Sequence, residues 1–131
     1  MTDDSPSQSQ NFKEIILILD EMKDLGKFKG VLLAYRNGGL IAENISKGFD
    51  YNEFAAMCAS VLESAGSIGQ TIGDRKIRKI VGELDDQTII INECDKKFFL
   101  VFLLGKESKV ENILNKLSEY KQKLLKKMNC F

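Results

Sequence analysis

The stretch that decides the fold is DYNEFAAMCASVLESAGSI, residues 50–68. Its apolar side chains recur at helical spacing, so it predicts an amphipathic helix. Asp50 is expected to cap the helix by accepting from the Glu53 N–H, while the Glu53 side chain reaches back. The helical pattern ends at Gly69 and Gly73. The face predicted to lie on a sheet consists of Phe54, Met57, Cys58, Val61, Ala65 and Ile68.

Two rows of small residues flank that apolar face. The first row is apolar and recurs at i, i+4, i+7 and i+11, which predicts a permanent contact with a second copy of the chain. The second row is polar, and together with Glu63 it is predicted to bind a partner that associates and dissociates. The alternative is that both rows are ordinary solvent-exposed helix. The first row is Ala55, Ala59, Leu62 and Gly66, and the second is Ala56, Ser60, Ser64 and Ser67.

Length and composition are those of one globular domain. The chain has 131 residues, of which 44% are hydrophobic and 29% are charged, enough for a core without disulfides. We expect a flexible acidic tail at 1–10, the domain at 11–128 and a short C-terminal tail at 129–131. No signal peptide or membrane-spanning run is apparent, so a cytoplasmic location without membrane insertion is expected. Nineteen basic residues balance nineteen acidic ones, which argues against nucleic acid as a partner.

The rest of the chain predicts the element order α-β-β-α-β-β-β-α. Asn11 with Glu14, and Ser108 with Glu111, have the spacing of capping boxes at the first and last helices. Asn37-Gly38 is typical of a tight hairpin turn. The predicted first helix covers 12–25, and the predicted strands cover 31–35, 40–45, 75–84, 88–92 and 97–104.

The strand predicted at 75–84 mixes apolar and basic side chains, which is typical of a sheet edge. We predict that it pairs antiparallel with its copy, so that one sheet continues across two subunits. Its predicted dimer contacts are Ile77, Lys79, Ile80 and Val81.

The inventory of reactive residues favours a protein that is not an enzyme and has no cofactor or metal. Histidine is absent, so His-based catalysis and metal ligation are excluded. Cys58, Cys94 and Cys130 are widely spaced and form no CxxC, which argues against a disulfide framework or a zinc site. The glycines at 66, 69 and 73 match no phosphate-loop spacing, so helix termination is the better explanation for them.

Two quoted segments carry a family resemblance. The hairpin GVLLAYRNGGLIAE (30–43) followed by NEFAAMCASVL (52–62) resembles the Roadblock family of dynein light chains and small-GTPase regulators, over about residues 12–127. The resemblance implies an α/β (α+β) fold: a five-stranded antiparallel sheet of order 2-1-5-4-3, with the central helix on one face and the terminal helices on the other. It also implies homodimers joined through the central helix and the third strand, and partnership with a Ras-like small GTPase or a scaffold complex.

Two functions are therefore weighed. The preferred one is a non-catalytic homodimeric interaction module that binds and regulates or scaffolds a Ras-like small GTPase. The alternative is a monomeric profilin-like or sensor-like α/β domain that binds a cytoskeletal protein or a small ligand, because fold alone does not decide function. The chain contains no tryptophan, which argues against a proline-binding platform of the profilin type.

Overall fold

A computed structural model describes residues 8–47 and 49–128, so residues 1–7 of the tail predicted at 1–10, and the whole tail predicted at 129–131, lie outside the described residues. The described chain forms five strands and four helices. In order they are α1 (Gln8–Gly26), β1 (Gly30–Tyr35), β2 (Leu40–Glu43), α2 (Tyr51–Thr71), β3 (Lys79–Glu83), β4 (Thr88–Glu93), β5 (Phe98–Leu104), α3 (Glu111–Leu114) and α4 (Leu117–Met128).

The sheet has the order β2-β1-β5-β4-β3, and every neighbouring pair is antiparallel. The predicted order is thus confirmed, with β5 at the centre and β3 at an edge. The strands β1 and β5 are continuous apolar runs because helices cover both of their faces. Between them, β1 and β5 pair from Gly30–Leu103 to Tyr35–Phe98 without a break.

The sheet separates two hydrophobic cores. On one face α1 and α4 bury side chains such as Ile15, Leu19 and Leu124 against Leu33 and Phe102. On the other face α2 packs on the alternate residues of the same strands. The predicted arrangement of the helices about the sheet is therefore confirmed.

The β1–β2 hairpin turns at Asn37-Gly38, as predicted. Tyr35 N–H donates to the Gly39 carbonyl and Gly38 N–H donates to the Tyr35 carbonyl, both at 2.8 Å. Gly38 has a φ of +99°, a conformation that favours glycine. This turn bends over α2, where a Cβ on Gly38 would lie 3.1 Å from the Ala56 Cα.

The capping box predicted at the first helix is wrong. The helix begins at Gln8 inside the predicted tail, so Asn11 lies within it and is fully buried. The Glu14 carboxylate instead accepts a 2.6 Å hydrogen bond from Lys127 of α4, which lowers the pKa of Glu14. Glu14 therefore joins α1 to α4 and does not cap α1.

The predicted last helix is two helices, α3 and α4, separated by a tight turn in which the Lys116 N–H donates to the Ile113 carbonyl at 2.9 Å. Ser108 does not cap it. Its hydroxyl accepts from the Gly105 N–H (2.9 Å) and donates to the Lys27 carbonyl (2.7 Å), joining the loops that follow β5 and α1.

Candidate interaction site

The start of α2 agrees with the prediction, but its rotation does not. Asp50 accepts hydrogen bonds from the N–H groups of Asn52 (3.0 Å) and Glu53 (3.1 Å), so it is the N-cap. Of the six residues predicted to lie on the sheet, only Cys58 is buried. The side chains that lie on the sheet are instead Ala55, Cys58, Ala59 and Leu62.

The predicted dimer row on α2 is therefore wrong for Ala55, Ala59 and Leu62, which are 0%, 6% and 2% exposed within the chain. Small residues do admit a close backbone, but that backbone belongs to the chain's own hairpin. A Cβ built on Gly38 would lie 3.1 Å from the Ala56 Cα and 3.7 Å from the Ala59 Cβ. Ala56 and Ala59 must be small because the hairpin turn packs closely against this side of α2.

Helix α2 leaves its opposite flank bare. We call this the apolar flank; its exposed residues are Met57 (59%), Val61 (46%), Ile68 (60%) and Ile72 (66%). Three of them had been predicted to face the sheet. Monomeric proteins rarely leave such a contiguous apolar stripe in water, so the apolar flank is a candidate interface.

The apolar flank continues onto the edge of the sheet. A cleft of about 380 Å³ lies between Phe54 and Met57 of α2 and Leu84 and Ile89 near the β3–β4 turn. Leu84, directly after β3, lines this cleft and is 51% exposed. The apolar flank and the α2-facing side of the sheet edge therefore form one surface.

The predicted dimer residues near β3 have mixed positions. The strand begins at Lys79 rather than at 75, so Ile77 precedes it, half-buried beside Gly69. Gly69 is not the end of α2, since the helix continues to Thr71, and the Arg75 N–H donates to the Gly69 carbonyl at 2.8 Å. The sequence pattern did not predict that the chain after α2 packs closely against Gly69. The predicted contacts that do lie in β3 are Lys79, Ile80 and Val81.

All five residues of the predicted partner-binding row are exposed, and they divide into two groups. Glu63 and Ser67 line a cleft of about 410 Å³ together with Arg36, Glu93 and Lys96. Arg36 and Glu93 form an ion pair within it. Ser60 and Ser64 are exposed on the outer side of α2, and Ala56 is exposed beside the hairpin turn at Gly38.

Gly66, the last member of the predicted dimer row, also lines this charged cleft. A Cβ added to it would have no neighbour within 4 Å. A side chain at Gly66 would therefore point into open space.

The described residues offer little for chemistry. Burial raises the pKa of the Cys58 thiol to about 11 and that of Cys94 to about 12, so both remain protonated and weakly nucleophilic at neutral pH. Across 8–47 and 49–128, no group of three or more cysteine or acidic side chains is arranged to hold a metal ion. In the same ranges, no helix has the length and apolarity needed to cross a membrane.

Fold and surface together define a layered α/β domain with an open sheet edge and a bare helix flank. A family model of the Roadblock/LC7 domain matches residues 14–104, so the chain belongs to the Roadblock/LC7 family. No curated protein sequence matches the chain.

Solved structures agree on the fold. Myxococcus xanthus MglB has a TM-score of 0.81 at 17% identity, with 92% of this chain and 98% of that chain covered. A structure described as MglB with tetrameric arrangement has a TM-score of 0.82 at 13% identity, covering 97% and 96%. Acanthamoeba castellanii profilin II is more distant, with a TM-score of 0.58 at 14% identity over 86% and 94%. At these identities the likeness concerns the fold alone.

Proposed function

We propose that this protein is a non-catalytic homodimeric module that binds a Ras-like small GTPase and regulates or scaffolds it. The observation that carries the proposal is the apolar flank of α2 beside the open edge of β3. Membership of the Roadblock/LC7 family supports it, since the sequence resemblance implies both the dimer and the GTPase partner.

The homodimer buries the apolar flank and the β3 edge together. Met57, Val61 and Ile68 of each copy pack against the same residues of the other, because apolar surface of this extent is stabilised by removal from water. Antiparallel pairing of the two β3 strands removes an open sheet edge at the same time. An assembled relative is known, described as MglB with tetrameric arrangement.

The GTPase binds the polar side of α2, which the dimer leaves in water. Ser60 and Ser64 lie on its outer surface, and Glu63 and Ser67 lie in the charged cleft with Arg36. Hydroxyl and charged groups tolerate water when the partner leaves, so this surface suits a complex that forms and dissociates. Ala56 is exposed as well and extends this surface toward the hairpin turn at Gly38.

The test is a binding and rate measurement with matched arginine variants. Purified wild-type protein is expected to capture a Ras-like GTPase, identified by mass spectrometry, and to change its rate of GTP hydrolysis or nucleotide exchange. Ser60→Arg should abolish both effects by placing a long cation in the contact, and the dimer should remain.

Ser118→Arg is the matched control, because Ser118 is an exposed serine of α4 in the opposite layer. It should bind as the wild type does. Loss of binding in both variants, or in neither, would contradict the assignment of the polar side of α2.

The alternative is a monomeric profilin-like domain, which the structural similarity to profilin II favours. Sedimentation separates the two functions. A wild-type protein that stays monomeric at micromolar concentration supports the alternative and contradicts the homodimeric module.

A further inference from the structure

The free edge of β3 presents backbone groups with a defined spacing. The carbonyl of Arg78, just before the strand, accepts from the Glu93 N–H at 3.1 Å, and the N–H of Leu84, just after it, donates to the Gln87 carbonyl at 2.8 Å. Backbone groups alternate in direction along a strand, so even-numbered positions face β4. The residues whose N–H and C=O groups point away from the sheet are Lys79, Val81 and Glu83.

A second copy must approach this edge with its α2 on the same side of the sheet, because the proposed dimer packs the two apolar flanks together. The two-fold axis is then perpendicular to the sheet. Residues directly opposite each other in an antiparallel pair point to the same face, so each position pairs with one of the same parity. One residue of β3 must therefore lie on the axis and face its own copy.

We infer that Val81 is the residue on the axis, an inference that rests on the proposed homodimer. In this register the whole of Lys79–Glu83 pairs with the whole of its copy. Lys79 lies opposite the partner's Glu83, and by symmetry Glu83 lies opposite the partner's Lys79. Both side chains are exposed in the single chain, so two cross-strand ion pairs form, one on each side of the axis.

Val81 is suited to the axis position. It is 50% exposed, and its neighbour in β4 is Ile90, which belongs to the core under α1 and α4. Facing its copy brings two β-branched apolar side chains together and extends that core across the seam.

The adjacent registers match less well. With Ile80 on the axis, Lys79 faces the partner's Val81 and the charge pair is lost. With Gly82 on the axis, Glu83 faces the partner's Val81, and Lys79 meets the partner's Asp85 beyond the end of the strand. Only the register with Val81 on the axis pairs both charges and the full length of β3.

The edge is thus complementary to itself. A different subunit of the same fold pairs equally well only if its third strand has a base and an acid at the same two positions. The edge therefore selects a second copy of this chain over a heterologous subunit.

Charge reversal tests the register. Lys79→Glu sets acids opposite acids at both sites, and Glu83→Lys sets bases opposite bases. Each variant alone should self-associate about tenfold more weakly than the wild type in sedimentation equilibrium, since each of two attractions becomes a repulsion. An equimolar mixture should form a heterodimer of nearly wild-type affinity, because the acid introduced at 79 then faces the base introduced at 83.

Two further variants separate the outcomes. Lys79→Glu mixed with Asp85→Lys should associate no more tightly than Lys79→Glu mixed with the wild type, because only one of the two charge pairs is restored in either mixture. Tighter association with Asp85→Lys would place Gly82 on the axis instead. The double variant Lys79→Glu/Glu83→Lys should self-associate and yet reject wild-type chains.

If the wild type is dimeric and the Lys79→Glu and Glu83→Lys mixture stays as weak as its components, the inferred register is overturned while the proposed homodimer stands. A monomeric wild type instead contradicts the proposed homodimer.

Discussion

The two flanks of α2 are close in sequence and opposite in use. On one flank, Ala56 and Ala59 admit the chain's own hairpin at Gly38. On the other, Met57 and Val61 are large and remain in water. The difference teaches that small residues on a helix indicate a close backbone without saying whose it is, whereas large exposed apolar residues indicate a surface still to be covered.

The largest loss of folding stability is expected on the side of α2 that packs against the sheet and the hairpin. Ala59→Arg should prevent folding, because it forces a long cation between α2, the sheet and the hairpin at a site that is 6% exposed. The combined cost of overpacking and of a buried unpaired charge is about 4 kcal/mol or more, a large part of a typical domain's stability. Circular dichroism and solubility measure it.

Ser60→Arg, one residue further along, is the matched control and should fold normally because Ser60 is exposed. If Ala59→Arg keeps the wild-type melting temperature and loses only the dimer, Ala59 lies at the dimer contact after all and not against the chain's own hairpin.

On the apolar flank, substitution by arginine should leave the monomer folded and weaken the dimer. Val61→Arg places a charge in the centre of the apolar flank, at a side chain that is 46% exposed in the single chain. We expect the monomer to melt as usual and the dimer to weaken by at least about 2 kcal/mol, more than about 30-fold. Analytical ultracentrifugation measures the dimer and circular dichroism the fold. Unchanged dimerisation would show that the apolar flank is not the seam.

A smaller loss is expected from the hairpin turn itself. Gly38→Ala should cost about 1–2 kcal/mol of folding stability, because it places a Cβ at a φ of +99° and 3.1 Å from the Ala56 Cα. Urea denaturation measures the change. Gly66→Ala is the control, since a Cβ there has open space and alanine favours helix, so it should be neutral or stabilising. If Gly38→Ala and Gly66→Ala lose the same folding stability, the contact with the hairpin is not the reason why Ala56 and Ala59 are small.

The smallest change in stability is expected at the ion pair between Glu14 of α1 and Lys127 of α4, far from both flanks of α2. Hydrogen bonding to Lys127 lowers the pKa of Glu14, so the ionised carboxylate stabilises the folded state above its ordinary pKa, and this contribution disappears as pH falls through the lowered pKa. Glu14→Gln should therefore slightly lower the melting temperature at about pH 7, and this difference should shrink as the pH falls through the lowered pKa of Glu14. Glu119→Gln, which removes a 3.8 Å ion pair within α4, is the matched comparison and should change less. A pH-independent difference for Glu14→Gln would exclude the ion pair as its cause.

Most of the fold could be predicted because its signals are local. The run from Val31, the turn at Asn37-Gly38 and the apolar strand to Leu104 set hairpin and strand positions, and the family resemblance implied the sheet order. The capping boxes failed for a physical reason. Asn11 and Ser108 have the right spacing, but α1 begins at Gln8, so Asn11 lies buried inside it, and the Ser108 hydroxyl bonds to Gly105 and Lys27 instead.

The candidate interaction site on α2 was harder to predict from the sequence. Periodicity gives the angles between residues on a helix, but it does not give the rotation of the helix against the sheet. Met57, Val61 and Ile68 are the larger apolar side chains, so they were predicted to be buried. The actual rotation follows from the space left by the hairpin at Gly38, a contact between segments distant in the sequence. One local signal pointed the right way: Ala55, Ala59 and Leu62 form the most uniformly apolar row of α2.

The most direct test of the β3 seam is single-residue amide hydrogen exchange in that strand, measured by NMR at high protein concentration. In the single chain, the N–H groups of Ile80 and Gly82 bond to β4, whereas those of Lys79, Val81 and Glu83 face outward. Pairing of two copies through β3 predicts that all five amides are protected to a similar degree. Rapid exchange at Lys79, Val81 and Glu83, with slow exchange at Ile80 and Gly82, would contradict it and leave the edge of the sheet open.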